Sequence, residues 1–255
     1  MKPQIRHEEI LRFVQQSGEA TVEDLAAALQ VSRETIRRDL TQLDAAGLVR
    51  KVHGGARPVV APEQRLEGPF ALRMAANVEL KRRIGRKAAE LLCPGDSLFI
   101  DSGSTTLLFA EALTELSSMI IITNSWRIAA TVGANPSHRV FLIGGSYSAD
   151  VGESLGQLAI EQIRQLRATH AFLTVGTVEE AGVLDFDEQE TDVAQAILER
   201  VEQVTVLADS SKFGRRGVFK VADWAQIDRL VTDAMPADEI TKSAQANSRT
   251  EIILA

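Results

Sequence analysis

Three arginines stand within six residues: Arg33, Arg37 and Arg38, in the run 32–43. Ser32 heads that run as a helix cap, and Ile36, Leu40 and Leu43 share one face at helical spacing. The arginines point away from this apolar stripe. Like charges at i and i+4, as at Arg33 and Arg37, weaken an isolated helix by roughly 0.2–0.5 kcal/mol. Glu34, four residues before Arg38, is placed to offset part of this. A helix crowded with cations on its outer face suits an anionic partner, and the expectation is a helix that enters a DNA groove. The plainer reading is a packing helix with a solvated charged face.

A second set of residues suits a smaller anion. Asp101, Ser102, Gly103, Ser104, Thr105 and Thr106 lie between an apolar run and a helix start. A glycine flanked by hydroxyls there brings backbone N–H groups and the helix dipole to bear on a phosphate or similar group. The competing reading is that these hydroxyls only cap their own helix. No Gly-Lys-Ser/Thr follows, so the loop is not a Walker loop, and it is no dinucleotide fingerprint either. Lys212 is the natural second contact, unless it simply pairs with Asp209. Asp185, Asp187 and Glu190 can accept hydrogen bonds from sugar hydroxyls, or can favour the start of the next helix by their charge.

The elements that must position the first set are short helices. One is expected over 6–16, with Ile10, Phe13 and Val14 inward. A second is capped by Thr21, with Asp24 in the capping-box position and Val22, Leu25, Ala26 and Leu29 inward. The third runs from Ser32 to about residue 46, with Gly47 at its stop. Three helices in about fifty residues, the last two joined by a very short turn, fit a helix-turn-helix. Residues 48–56 then mix apolar and basic side chains ahead of Gly54 and Gly55 and read as a β wing, with Arg50, Lys51 and His53 near the phosphate backbone. Pro58 and Pro62 mark an extended hinge, and one largely helical stretch is expected over 72–92.

The second set calls for a different frame. From residue 94 onward short apolar runs recur at 97–101, 119–123, 139–144, 170–176, 203–209, 229–233 and 251–254. Helical segments at 105–116, 125–132 and 188–201 lie between some of them. Such alternation predicts an α/β domain with a mainly parallel sheet. Ligands bind beyond the carboxyl ends of such strands. Reading those ends in turn adds Asn124, Gly144, Gly145 and Gly176 to the candidates. The expected domains are 3–58, a linker over 59–76, and 77–255.

Charge is divided between these parts. The chain of 255 residues carries a net charge of −7. Residues 1–57 hold nine Lys and Arg against eight Asp and Glu, and the remainder 19 against 27. The acidic body repels DNA and so keeps non-specific binding low. No apolar run approaches the roughly 20 residues that span a bilayer, and no signal-peptide core is visible at the start. Cys93 is the single cysteine, so no internal disulfide can form, and a reducing cytoplasm is the expected location. No metal-ligand cluster and no nucleophile–base pair stands out, so neither metal nor cofactor is expected.

Certain runs resemble the DeoR family of bacterial transcriptional regulators. They are 6–11, then Val31-Ser32-Arg33-Glu34-Thr35-Ile36-Arg37-Arg38-Asp39-Leu40, then Leu43, Gly47 and His53-Gly54-Gly55-Ala56. The later match covers 101–106, Thr123-Asn124-Ser125, Gly144-Gly145, Phe186-Asp187 with Glu190, and 208–214, so that it extends over nearly the whole chain. The resemblance implies a winged helix-turn-helix followed by a larger α/β sensor domain whose fold is similar to sugar-phosphate isomerases. It implies that Ser32, Thr35, Arg37 and Arg38 lie on the recognition helix. With Thr21, Arg33, Lys51 and His53 they form the candidate DNA contacts. It also implies a phosphorylated sugar or polyol effector at 101–106 and Lys212. This chain has Ala194 where family members often carry a lysine soon after the glutamate.

Two functions from different classes remain to be weighed. The first is a ligand-gated regulator, mostly a repressor in this family, that binds a near-palindromic operator as a homo-oligomer (dimer or tetramer). The second is a sugar-phosphate isomerase or deaminase with a helical appendage, in which Asp101, Asp185, Glu190 and Lys212 mimic a catalytic set. A third possibility is a sensor domain that only oligomerises. Arg33, Arg37 and Arg38 beside a wing favour the first, since an isomerase has no use for them.

Overall fold

The structure, a computed structural model, describes residues 6, 7, 9–11, 13, 14, 20–45, 48–52, 54–58, 68–248 and 250–255. Two compact units divide at Ala75 and Ala76. In the first, the described residues of 6–14 are helical and form α1. Strand β1 (Ala20–Thr21) runs directly into α2 (Val22–Leu29), and α3 (Arg33–Ala45) follows after three residues. The wing is β2 (Val49–Val52) with β3 (Gly55–Pro58), and β1 adds a third strand, so the sheet order is β1-β3-β2, all antiparallel. Pro58 therefore ends a wing strand rather than opening a hinge. Residues 59–67, where the hinge is expected, and His53 lie outside the described residues.

One core holds this unit together. Ile10, Leu11, Val14, Val22, Leu25, Ile36, Leu40, Leu43 and Val49 are buried in it. Apart from Leu11 and the strand residue Val49 these are the inward positions expected from helical spacing, while Phe13, Ala26 and Leu29, also expected inward, are only partly buried.

The stretch 72–92 is not one helix. It forms α4 (Phe70–Ala75) and α5 (Val78–Ala89), broken at Asn77, whose φ of 55° is left-handed. A left-handed residue cannot continue an α-helix.

The second unit continues with β4 (Ser97–Ile100), α6 (Ser104–Leu113), β5 (Ile120–Thr123), α7 (Trp126–Val132) and β6 (Arg139–Leu142). The hairpin β7 (Ser146–Ser148) and β8 (Glu153–Leu155) follows, then α8 (Gln157–Arg164) and β9 (Ala168–Leu173). Next come β10 (Thr177–Glu179), β11 (Gly182–Asp185), α9 (Glu188–Leu198) and β12 (Val201–Leu207). The chain ends with β13 (Phe219–Ala222), β14 (Arg229–Thr232), α10 (Asp238–Ser248) and β15 (Glu251–Leu254). Seven strands make one parallel sheet in the order β15-β14-β12-β9-β4-β5-β6. All seven are among the expected runs. The small antiparallel sheets β7-β8 and β10-β11-β13 were not expected from the sequence.

Strand alternation divides the core into two layers. Leu98, Ile100 and Phe172 face one side, with Ile84, Phe109 and Ile128 from α5, α6 and α7. Phe99, Ala171 and Leu173 face the other, with Ile163, Val193 and Ala244 from α8, α9 and α10. The Phe109 and Phe172 rings lie 4.4 Å apart between centroids. Covered on both faces, the sheet is a mixed α/β domain with ligand-binding room only at strand ends.

Candidate functional site

In the first unit α3, the helix expected to enter the groove, is fixed along its length. Ser32 Oγ accepts the Thr35 N–H at 3.1 Å and meets the Thr35 hydroxyl at 2.8 Å, so these two residues set the helix entry together. Thr21 does the same for α2, accepting from Asp24 N at 3.1 Å while its hydroxyl donates to Asp24 Oδ2 at 2.7 Å.

At mid-helix Asp39 is 3% exposed and clamped to α1. Its carboxylate accepts from Arg6 Nε at 2.5 Å and Nη2 at 3.0 Å, and His7 Nε2 lies 3.1 Å away. Burial pushes the Asp39 carboxyl up, but the bonds from Arg6 and His7 outweigh it and hold the group below its ordinary range. The wing is tied to the same helix. Lys51 N donates to Asp44 at 2.8 Å and Lys51 Nζ to Thr41 Oγ1 at 2.9 Å. Arg37, Lys51 and Gly54 line a groove between wing and helix.

The three arginines separate by their partners. Arg33 lies 3.5 Å from Glu23 and Arg37 3.8 Å from Glu34, all exposed. Glu34 therefore serves Arg37 at i+3 and not Arg38 at i+4. Arg38 is exposed and makes no side-chain ion pair or hydrogen bond among the described residues.

In the second unit strand order reverses between β4 and β9. The chain runs outward from β4 to β6 and then from β9 to β15 on the other side. That switch point is where open α/β sheets open a crevice. Asp101–Thr106 leaves β4 there, and Gly176 leaves β9. All of residues 101–106 are buried. Gly103 is the N-cap of α6 and supplies no side-chain cap. A Cβ on it would lie 2.1 Å from Thr174 Oγ1, so only glycine lets these two loops meet. Among the described residues the N–H groups of Gly103, Ser104, Thr105 and Thr106 have no partner, and neither have the Ser104 and Thr105 hydroxyls. The hydroxyls thus do not cap their own helix; Thr106 Oγ1 donates back to the Gly103 carbonyl at 3.2 Å.

Carboxylates crowd the same place. Glu153, 1% exposed, arrives on β8 and accepts from Ser102 Oγ and, at 3.4 Å, from Asn124 Nδ2. Asp185 accepts from Gly176 N at 3.0 Å and Phe186 N at 2.6 Å. Asp101 consequently titrates well above the ordinary carboxylate range. Burial is the main cause and Glu153 the next, opposed by the Ser102 N–H and reinforced by Asp185. Two buried acceptors at these strand ends, Asn124 Oδ1 and Asp209 Oδ2, have no hydrogen-bond partner among the described residues.

Other candidates fall elsewhere. Asp187 is exposed and caps α9 through Gln189 N and Glu190 N. Glu190 lies in the first turn of that helix. Gly144 bonds Gln162 of α8 through both its N–H and its carbonyl, and Gly145 packs against Leu155 and Ala159. Lys212 is half-buried on a 3-10 turn after β12, and its carbonyl accepts from Thr177 Oγ1 at 3.1 Å. Ala194 is buried in the core. Glu153 and Thr174 are the site residues missed from the sequence. The signal available was Glu153 beside Gly152, with its positive φ of 81°, and Thr174 at a strand end.

A winged helix-turn-helix and an open parallel α/β domain in one chain define a DNA-binding regulator with a second, separate domain. Residues 6–60 match the DeoR-like helix-turn-helix domain and residues 76–234 the DeoR C terminal sensor domain. The chain belongs to the DeoR family of transcriptional regulators. It is 35% identical over 237 residues to the glycerol-3-phosphate regulon repressor of Escherichia coli, spanning 92% of this chain and 93% of that protein. To the repressor of the same description in Haemophilus influenzae it is 34% identical, over 92% of this chain and 91% of that one. Among solved structures, ribose 5-phosphate isomerase A of Methanocaldococcus jannaschii aligns with 54% of this chain and 55% of its own, at 18% identity and a TM-score of 0.41.

Proposed function

We propose that this regulator is a repressor of a sugar or polyol catabolic operon, released from its operator by a phosphorylated sugar or polyol. The observation that carries the effector reading is the loop at 103–106. Four buried N–H groups and two hydroxyls there are left unbonded by the protein at the N-terminus of α6. A phosphate oxygen is the acceptor such a cradle suits. Asn124 Oδ1 and Asp209 Oδ2 are buried acceptors that suit the hydroxyl donors of a polyol. Lys212, whose backbone carbonyl accepts from Thr177 Oγ1 next to Gly176, is the cation this reading assigns to the β12 side. The names of the relatives support the same chemistry.

The effector is bound and not turned over. Asp185, one of the carboxylates an isomerase reading needs, is occupied by the Gly176 and Phe186 N–H groups. On the DNA side, Arg38 and Arg37 of α3 enter the major groove and the wing lies along the phosphates, with two protomers on a two-fold operator. The effector acts by preferring the conformation that does not bind DNA.

The test is an operator-release titration on the full chain. DNA from upstream of its own operon is bound, and glycerol 3-phosphate, a panel of other sugar phosphates and their unphosphorylated forms are added. The expected result is release by one phosphorylated compound, with a rise in melting temperature, and no response to its unphosphorylated form. Specific DNA binding with no response to any phosphorylated compound overturns the effector assignment. Equal affinity for random DNA overturns the regulator's operator reading.

A further inference from the structure

The sheet ends in an unusual edge. Among the described residues strand β6 pairs only with β5, in parallel register from Ile120↔Arg139 to Thr123↔Leu142. Arg139 N donates to Met119 O and Ile143 N to Thr123 O, so residues 139, 141 and 143 turn their backbone groups inward. Val140, Leu142 and Gly144 must therefore turn theirs outward. At Gly144 the Gln162 side chain takes both groups, accepting from N at 3.1 Å and donating to O at 3.0 Å. Nothing among the described residues does this for Val140 or Leu142.

Arg139 is the one charged residue of β6, and beyond it the side chains do not protect the edge. Edge strands are normally blunted by charge, proline or a bulge. Here Phe141 is 41% and Leu142 53% exposed although they point to opposite faces. Tyr147 and Trp126 are also exposed and are joined by a 3.2 Å bond from Trp126 Nε1 to Tyr147 Oη. Phe141 and Leu142 leave apolar surface in water on both sides of the edge strand.

We infer that β6 is an interface for a second copy of this chain, joined edge to edge and antiparallel about a two-fold axis at Phe141. In this register the outward groups of both Val140 and Leu142 are matched. Val140 meets Leu142 of the second copy in a hydrogen-bonded pair, the reciprocal pair forms on the other side of the axis, and four backbone bonds result. Phe141 then faces its own copy in the closer, non-hydrogen-bonded position, where aromatic pairs interact well. Arg139, already 5.6 Å from the Phe141 ring centroid, lies on the same face. The Gln162 amide ends the ladder at Gly144, which limits the contact to one partner strand. Such an isologous contact closes on itself and does not propagate into a filament. It rests on the sheet edge alone and is independent of the effector and operator readings.

The test uses the full chain without DNA or effector. Phe141→Arg places two like charges face to face across the axis and is expected to halve the particle mass in sedimentation equilibrium. In a Cys93→Ser background, Phe141→Cys is expected to form an intermolecular disulfide on mild oxidation, because non-hydrogen-bonded antiparallel pairs bring Cβ atoms to about 4.5 Å. A wild-type chain that is monomeric at tens of micromolar overturns the inference. So does an oligomer that keeps its mass in Phe141→Arg, or one that leaves Phe141→Cys uncrosslinked.

Discussion

At the scale of single residues, Arg38 differs from its two neighbours in being unencumbered. Arg33 and Arg37 are each drawn towards a carboxylate at the surface, and such exposed pairs are worth only about 0–1 kcal/mol. They can be exchanged for phosphates at little loss, whereas Arg38 has nothing to exchange. Arg38→Ala is accordingly expected to cost about 1–3 kcal/mol on the operator and little on random DNA, as loss of a bidentate base contact does. Lys51→Ala is expected to weaken both alike and to lower the salt slope by about one. Fluorescence anisotropy on both DNAs across a salt series separates the two; an unchanged Arg38→Ala curve removes that residue from the site. Asp101 makes a prediction of a different kind. Its folded pKa is raised by burial beside Glu153 and Asp185. Stability linked to it is therefore full below its ordinary value of about 3.9 and is lost as pH rises through the folded value. Asp101→Asn cannot ionise, so its melting temperature is expected to fall less than the wild type's over that rise. Parallel melting-temperature profiles of the two proteins would refute the linkage.

At the scale of elements, α3 is held by a buried clamp and α6 by a glycine. Removing one partner from a buried ion pair costs about 3–5 kcal/mol, so Asp39→Ala, which takes away the buried carboxylate that Arg6 and His7 meet, is expected to destabilise the first unit by that amount in urea titration. The sign with pH is fixed by the depressed Asp39 pKa. The clamp's stability is present above the ordinary carboxylate value and is lost as pH falls through the folded one. Gly103→Ala presses a methyl into Thr174. Overpacking of this kind costs about 1–3 kcal/mol, and here it is expected to abolish the response to effector while leaving operator binding intact. The same elements show what was legible in the chain. The seven parallel strands are apolar runs buried on both faces, and such runs announce themselves. The hairpin β7-β8 is three residues a side, Ser146-Tyr147-Ser148 and Glu153-Ser154-Leu155, too short for a periodicity to read. It nevertheless delivers Glu153 to Ser102 across 51 positions of sequence. Asn77, whose left-handed turn divides α4 from α5, left the apolar spacing on either side nearly continuous. The hydroxyls of 104–105 were legible as a cradle or as caps; only the fold shows that they cap nothing.

At the scale of the whole molecule, charge and coupling set the behaviour. The residues up to 57 are close to neutral and the remainder strongly acidic. The acidic remainder opposes loose association with DNA, and on the proposed reading the exposed cations of α3 and the wing supply the attraction while two heads on one DNA supply specific affinity. If effector and operator favour different states of the chain, their effects on each other are equal in size by linkage. A coupling of about 1–3 kcal/mol corresponds to a factor of about 5–150 in affinity. The expectation is that saturating effector weakens operator binding by such a factor, and that saturating operator DNA weakens effector binding by the same factor. Calorimetric titration of effector into free protein and into the protein–operator complex gives one limb, and anisotropy with and without effector gives the other. Because this reciprocity holds for any coupling, the informative outcome is its size: a factor of one on both limbs would mean that effector and operator favour the same state and would overturn the population-shift reading.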